Sequence, residues 1–368
     1  MTRIVVLCDG TWNSPDMKDT THVHALSQML ADTPDQKVKY FDGVGVNDPK
    51  EEGGTFVGRG FNKVFGGATG FGLGKKVKEA YTFVAENYKD GDEVYLFGFS
   101  RGAYTARSVA GMIRKCGIIE DTSPRAVRKA FRLYRKTGDH NAPDRLLIRE
   151  ERAAMSPHFA TSEKDRDTRK GGPVPIVNIA FVGVWDTVGQ RGIPTQLFGI
   201  FARIWNNFYA FHDTDLSSLV KAARHAVALD ERRVFYQPAL WDNLADLNAR
   251  AGAAPFHQRW FVGDHGVVGG SAETDAVSCY TLKWVAEGAP ALTYKPGMSL
   301  DHADADILSD LNHLNEPKTV YKIASDLLQW RGELENEAAA DPTVRDRVRG
   351  RGDYRPGTLQ RLVDGWLA

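Results

Sequence analysis

The stretch Glu93 to Arg107 constrains this chain more than any other. Val94 to Phe97 is a short apolar and aromatic run, the pattern of a buried strand. Gly98-Phe99-Ser100-Arg101-Gly102 follows and fits G-x-S-x-G. Ala103, Ala106, Ala110 and Ile113 then recur at helical spacing. A serine on so sharp a strand-to-helix turn sits in a strained backbone conformation, with the helix folded back close over its own strand. Side chains two residues to either side would collide, and Gly98 and Gly102 remove them. The five residues alone also fit an ordinary glycine turn. Strand before and helix after make Ser100 the expected nucleophile.

An activated serine needs a base to take its proton, and the base needs an acid to fix its tautomer. Ile176 to Trp185 reads as a buried strand and runs into Asp186-Thr187-Val188-Gly189. Arg259 to Val262 reads as a short strand and runs into Gly263-Asp264-His265-Gly266. Asp186 and His265 thus each follow a strand, as Ser100 does, in the order Ser, Asp, His. Parallel strands bring their C-terminal ends to one edge of the sheet, where sites assemble. Each residue also has a plainer reading: Asp186 as a turn cap, His265 as a satisfied loop histidine. Asp264 is the alternative acid, although adjacent side chains rarely aim at one target. His22, His24, His225 and His257 read as helical or loop histidines without this context, and His22-x-His24 places no third metal ligand.

The oxyanion of an acyl-transfer intermediate needs two N–H groups aimed at one point. One is expected from Arg101, the residue after the nucleophile. The other is expected from Gly10 or Thr11, in the loop after the first strand, Ile4 to Leu7. This chemistry calls for no metal and no cofactor.

Elsewhere the pattern is that of an α/β chain. Thr21 to Leu30 reads as a helix, Val38 to Phe41 as a strand, residues 43–74 as a glycine-rich loop and Lys75 to Tyr88 as a helix. Gly58 to Gly74 is no phosphate loop, because position 69 is Thr69 and Lys75 is followed by Lys76. Residues 121–172 are polar and basic, with Arg125, Arg128, Lys129, Arg132 and Arg135 on a helical insertion; a solvated face is the default and an anionic surface patch the alternative. Leu216 to Ala228 and Ala276 to Ala286 read as helices, and the rest of the tail as helical or irregular without a motif. The expected organisation is one α/β domain over residues 1–368. Its sheet is mostly parallel with helices on both faces, and helical insertions fall at about 120–172 and 190–256.

Lys+Arg and Asp+Glu both number 47 in the 368 residues, so global charge does not favour a nucleic-acid partner. Cys8, Cys116 and Cys279 are odd in number and far apart, which suits a reducing compartment. The first apolar run is too short for a signal-peptide core, and no run approaches transmembrane length; a cytoplasmic protein is expected. Leu197 to Phe211 is the most aromatic stretch. It reads either as core or as an insertion roofing a lipid-binding cleft, with Phe201 and Trp205 as substrate contacts.

Five stretches together resemble the bacterial and fungal α/β-hydrolase family that includes the phospholipase effectors of type VI secretion. They are Cys8 to Asn13, Tyr95 to Arg107, Val184 to Gly189, Ala228 to Arg233 and Trp260 to His265. The resemblance implies an α/β-hydrolase-like fold and carries the family's serine, aspartate and histidine onto Ser100, Asp186 and His265. It departs in one place: the family's usual aspartate two residues after the histidine is Val267 here. Effectors injected by contact need no signal peptide, so export by that route stays open, with an immunity or secretion partner that leaves no mark in the sequence. The expected function is a serine esterase of lipase or phospholipase type, acting on a lipid or small ester with contact at a membrane surface. The alternative is a catalytically idle hydrolase-fold module for binding or assembly.

Overall fold

A computed structural model of the chain describes residues 1–10, 20–43, 70–188, 215–271, 275–300, 325 and 328–367. Six strands form one sheet: β1 Arg3–Cys8, β2 Gln36–Phe41, β3 Glu93–Phe99, β4 Ile179–Trp185, β5 Val220–Ala228 and β6 Phe256–Phe261. Their order is β2-β1-β3-β4-β5-β6, and every neighbouring pair is parallel. The helices are α1 His22–Met29, α2 Gly70–Asn87, α3 Arg101–Cys116, α4 Pro124–Tyr134, α5 Leu146–Met155, α6 Glu163–Asp167, α7 Leu244–Ala251, α8 His265–Gly269, α9 Asp275–Ala286, α10 Pro342–Gly350 and α11 Gln360–Leu367. This is the α/β-hydrolase-like arrangement the sequence predicts.

Burial on both faces of a period-two strand explains why the central strands β1, β3 and β4 are nearly continuous apolar runs, whereas β2, β5 and β6 carry polar residues. Ile4 and Val6 of β1, with Val94 and Leu96 of β3, pack beneath Val77, Val84, Ala106 and Val109 of α2 and α3. Val5, Leu7, Tyr95 and Phe97 point the other way, onto Val23 and Leu26 of α1 and Trp284 and Val285 of α9. Both faces of β1 and β3 are buried, so neither needs polar residues. The strand order reverses about β1, which has β2 on one side and β3 on the other. Such a reversal opens a crevice at the C-terminal ends of the two central strands.

Residues 120–172 carry α4, α5 and α6. Val127, Ala130 and Leu133 bury one face of α4, while Arg125, Arg128, Lys129 and Arg132 stay mostly exposed, the solvated face expected there. Within this region Arg152 meets Asp165 at 2.8 Å with both side chains almost wholly buried. The reading of Leu216 to Ala228 as a helix is corrected: Val220–Ala228 is β5, inside the sheet and inside the range assigned to an insertion. His225 and His257 accordingly stand on strands rather than on helices or loops. Residues 44–69 and 189–214, which hold most of the glycine-rich stretch and all of the aromatic one, lie outside the described residues.

The tail is part of the body. Leu334, Val344, Val348, Leu359, Val363 and Trp366 pack with Val227, Leu229, Trp260, Val262 and Val267 in a third apolar cluster. The Asp341 N–H donates to the Trp260 carbonyl at 2.9 Å, so residues 340–341 run along the outer edge of β6.

Candidate active site

Ser100 follows β3 and caps the N-terminus of α3, at φ 57° and ψ −120°. Its side chain is nearly buried. A Cβ on Gly98 would stand 2.4 Å from the Gly102 carbonyl oxygen, the collision expected between helix and strand. A Cβ on Gly102 would stand 2.0 Å from the carbonyl oxygen of Cys8. The second glycine therefore serves a different approach, of α3 onto the end of β1. Among the described residues only Ser100 and Asp186 are non-glycine residues with positive φ, Asp186 at 37°. Such conformations persist where surrounding structure holds them, and they concentrate at functional sites.

Asp186 follows β4 and His265 opens α8. The structure brings both to Ser100. His265 Nε2 lies 2.9 Å from Ser100 Oγ, and Nδ1 lies 2.6 Å from Asp186 Oδ2. In the tautomer this network implies, Nδ1–H donates to the carboxylate and Nε2 accepts from the serine hydroxyl. The imidazole is held between the Phe99 and Tyr236 rings, at centroid distances of 4.6 and 4.7 Å. Asp264, the alternative acid, is instead the N-cap of α8 and accepts the Val267 N–H at 3.0 Å. Val267 buries its side chain in the tail cluster.

Asp186 is fully buried and hydrogen-bonded through both oxygens. Oδ1 accepts the Ala228 N–H at 2.9 Å and Arg331 Nη1–H at 2.7 Å; Oδ2 accepts Arg331 Nη2–H at 2.9 Å besides His265. Burial alone raises this carboxyl, but the Arg331 charge and then the His265 and Arg331 hydrogen bonds outweigh it, holding Asp186 well below the usual carboxylate range. Glu231, also fully buried, accepts the His265 backbone N–H at 3.3 Å and pairs with Arg233. Burial raises its carboxyl too, and the Arg233 hydrogen bond and charge overcome that. His225 lies beneath, its Nε2 accepting the Thr187 N–H at 3.2 Å, and burial pushes its pKa down to about 3. Arg331, Glu231 and Tyr236 were not singled out by sequence reasoning. Glu231 lies in a stretch that carries the family resemblance, but Arg331 has no local motif at all.

Arg101 opens α3, where a helix's first N–H groups have no carbonyl of their own helix to meet. The Gly10 N–H points to the carboxylate of Asp9 at 2.6 Å, a contact that turns it away from an oxyanion role in this conformation. Asp9 in turn accepts from Tyr40 Oη and Thr21 Oγ1 at 2.7 Å each. Thr11, Phe201 and Trp205 lie outside the described residues. Among the described residues no group of three or more His, Cys, Asp or Glu could hold a metal ion.

The sequence model of the family described as "T6SS, Phospholipase effector Tle1-like, catalytic domain" matches residues 2–288. An uncharacterised protein of Saccharomyces cerevisiae is 31% identical over 164 residues, covering 44% of this chain and 20% of that protein. Two solved structures are similar at 15% identity. One is an uncharacterised protein from Pseudomonas aeruginosa, with a TM-score of 0.38 over 76% of this chain and 44% of the other. The second is the Tle1 effector bound to the VgrG spike of the type VI secretion system, with a TM-score of 0.32 over 74% of this chain and 51% of the other. The chain thus spans a fifth of the yeast relative and about half of each solved structure.

Proposed function

The chain belongs to the Tle1-like family of type VI secretion phospholipase effectors, and on that premise we propose that it is a serine hydrolase cleaving a carboxylic ester of a lipid. The observation that carries the proposal is the hydrogen-bonded line from Ser100 Oγ through His265 to Asp186. Ser100 Oγ attacks the ester carbonyl while His265 Nε2 takes its proton. The C–O bond to the leaving alcohol then breaks as His265 returns that proton to it. The acyl group now rests on Ser100. Water repeats the sequence, giving its proton to His265 and leaving the carboxylic acid and the free serine. The negative charge of each tetrahedral intermediate falls where the Arg101 N–H begins α3; a second donor from Gly10 requires that its bond to Asp9 open on substrate binding, and Thr11 is the other candidate.

Phe201 and Trp205 are proposed to contact the acyl chain, on the strength of the apolar sequence around them. A polar residue at either position should depress hydrolysis of long-chain esters far more than of acetate esters. Equal losses that follow a fall in Tm would mark them as core. The exposed basic residues of α4 suit the anionic head groups of a membrane surface.

The test is Ser100→Ala. Wild type should be labelled by a fluorophosphonate and hydrolyse p-nitrophenyl esters and phospholipids; Ser100→Ala should lose labelling and essentially all turnover while keeping its Tm. Wild type that neither labels nor turns over any ester would leave the idle binding module as the reading. Turnover surviving in Ser100→Ala would move the nucleophile elsewhere.

A further inference from the structure

Arg331 lies 145 positions beyond Asp186 and outside residues 2–288 that the family model matches, yet it grips the carboxylate through both terminal nitrogens. Its side chain is 1% exposed and that of Asp186 0%. Nη1 donates further to the Ala228 carbonyl at 2.6 Å, and Nη2 to the Tyr236 carbonyl. The segment bearing it is fastened on both sides. The Gln329 N–H donates to the Arg232 carbonyl at 2.7 Å, the Arg232 guanidinium lies 4.7 Å over the Trp330 ring, and Leu334 N–H donates to Thr358 at 2.8 Å.

We infer that Arg331 is a positioning residue for the hydrolysis, locking the Asp186 carboxylate in the plane that presents Oδ2 to His265 Nδ1. The inference rests on the reading of Ser100, Asp186 and His265 as a triad. The terminal torsion of an aspartate is broad and roughly two-fold, so one contact does not fix its plane. A planar guanidinium meeting both oxygens does. Lysine, a point charge on a flexible stem, supplies the charge without the fork. The same clamp holds Tyr236 by its carbonyl, and the Tyr236 ring packs on His265. Arg331 therefore restrains the base from two sides.

A purely structural arginine would make a different prediction. Among the described residues, the charged or titratable groups around Asp186 are His265 from α8, His225 from β5 and Arg331 from the tail, with Glu231, Arg233 and Tyr236 beyond His265. Arg331 is the foremost influence keeping the buried carboxylate ionised. Its removal should let Asp186 take a proton at higher pH.

The experiment uses the full chain with Arg331→Ala and Arg331→Lys, a soluble p-nitrophenyl ester and pH profiles of kcat and kcat/KM. We expect kcat to fall about 10–100-fold in Arg331→Ala, by analogy with the loss of an outer partner that orients a metal-ligating side chain, with KM nearly unchanged. The acid limb should move to higher pH. Guanidinium or methylguanidinium at tens of millimolar should restore part of kcat, and Arg331→Lys should keep the acid limb near wild type while losing kcat. A folded Arg331→Ala with wild-type kcat and acid limb would overturn the inference, as would losses that track Tm alone without rescue. Should Arg331→Ala fail to fold, Arg331→Lys decides, because wild-type kcat there removes the need for the fork. Failure of the triad reading is seen separately, as turnover or fluorophosphonate labelling in Ser100→Ala with Arg331 intact.

Discussion

At the scale of single residues, close approach sets the tolerances. Gly102 has the backbone of Cys8 and Asp9 against the place its Cβ would occupy, and backbone cannot swing aside as a side-chain tip can. Gly102→Ala should therefore cost about 3 kcal/mol or more, at or above the usual upper range for overpacking, read as a fall in ΔG of urea unfolding. Asp186→Asn tests a different property. The amide can present its NH₂ where Nδ1–H of His265 now donates, which favours the wrong tautomer and leaves Arg331 without its counter-charge. We expect kcat to fall about 10⁴-fold, as for the corresponding change in a well-studied triad, together with a loss of stability from the buried guanidinium. The convergence of Ser100, Asp186 and His265 was legible because each follows an apolar run at a strand end. Arg331 was not legible, because pairing across 145 positions leaves no local pattern in either partner.

At the scale of elements, the strands and helices that bury an alternating or helical face were read with their boundaries shifted by a few residues. β5 was misread for a physical reason. Leu216, Leu219, Val220, Ala223, Ala226 and Val227 recur at nearly helical intervals, and alanine, lysine and arginine between them favour helix. In the sheet the same small residues fit between two neighbouring strands, with Ala223, Ala226 and Ala228 fully buried, and packing overrides propensity. The insertion bearing α4 to α6 is held by charge as well as by apolar contact. Arg152 donates to Asp165 and to the Arg114 and Lys115 carbonyls near the end of α3, and Arg169 also reaches Asp165 at 3.2 Å. Asp165→Ala would strand a buried guanidinium and should cost about 3–5 kcal/mol by urea unfolding. Burial raises the Asp165 carboxyl, and the hydrogen bond and charge of Arg152 more than offset this, so its folded pKa is depressed. Its contribution is thus present above the unfolded value near pH ~3.9 and is lost as pH falls through the folded one. Below about pH 3.9 the stability of wild type should accordingly fall more steeply with acidification than that of a variant in which Arg152 is replaced by Met.

At the scale of the whole molecule, we propose that residues 1–368 fold as one domain, since the tail buries its apolar side chains on β5, β6 and α8 as well as on itself. Far-UV CD and tryptophan fluorescence should then report a single coincident unfolding transition; two separated transitions would divide the chain. Truncation after residue 288 should expose Val227, Leu229, Trp260 and Val262, at roughly 1.5–3 kcal/mol for each large side chain uncovered, and yield a fragment that does not react with a fluorophosphonate. The position of Arg331 also has a consequence in time. A ribosome delivers the chain from its N-terminus at about 5–20 residues per second, and Arg331 follows the end of β6 by roughly 70 residues. For roughly 4–14 s at that rate the nascent chain already holds its serine, aspartate and histidine but lacks the guanidinium that sets them. The hydrolase we propose would thus be synthesised with its chemistry still uncocked. Ribosome-bound chains arrested at residue 300 should stay unlabelled by the probe, while those released at full length should react.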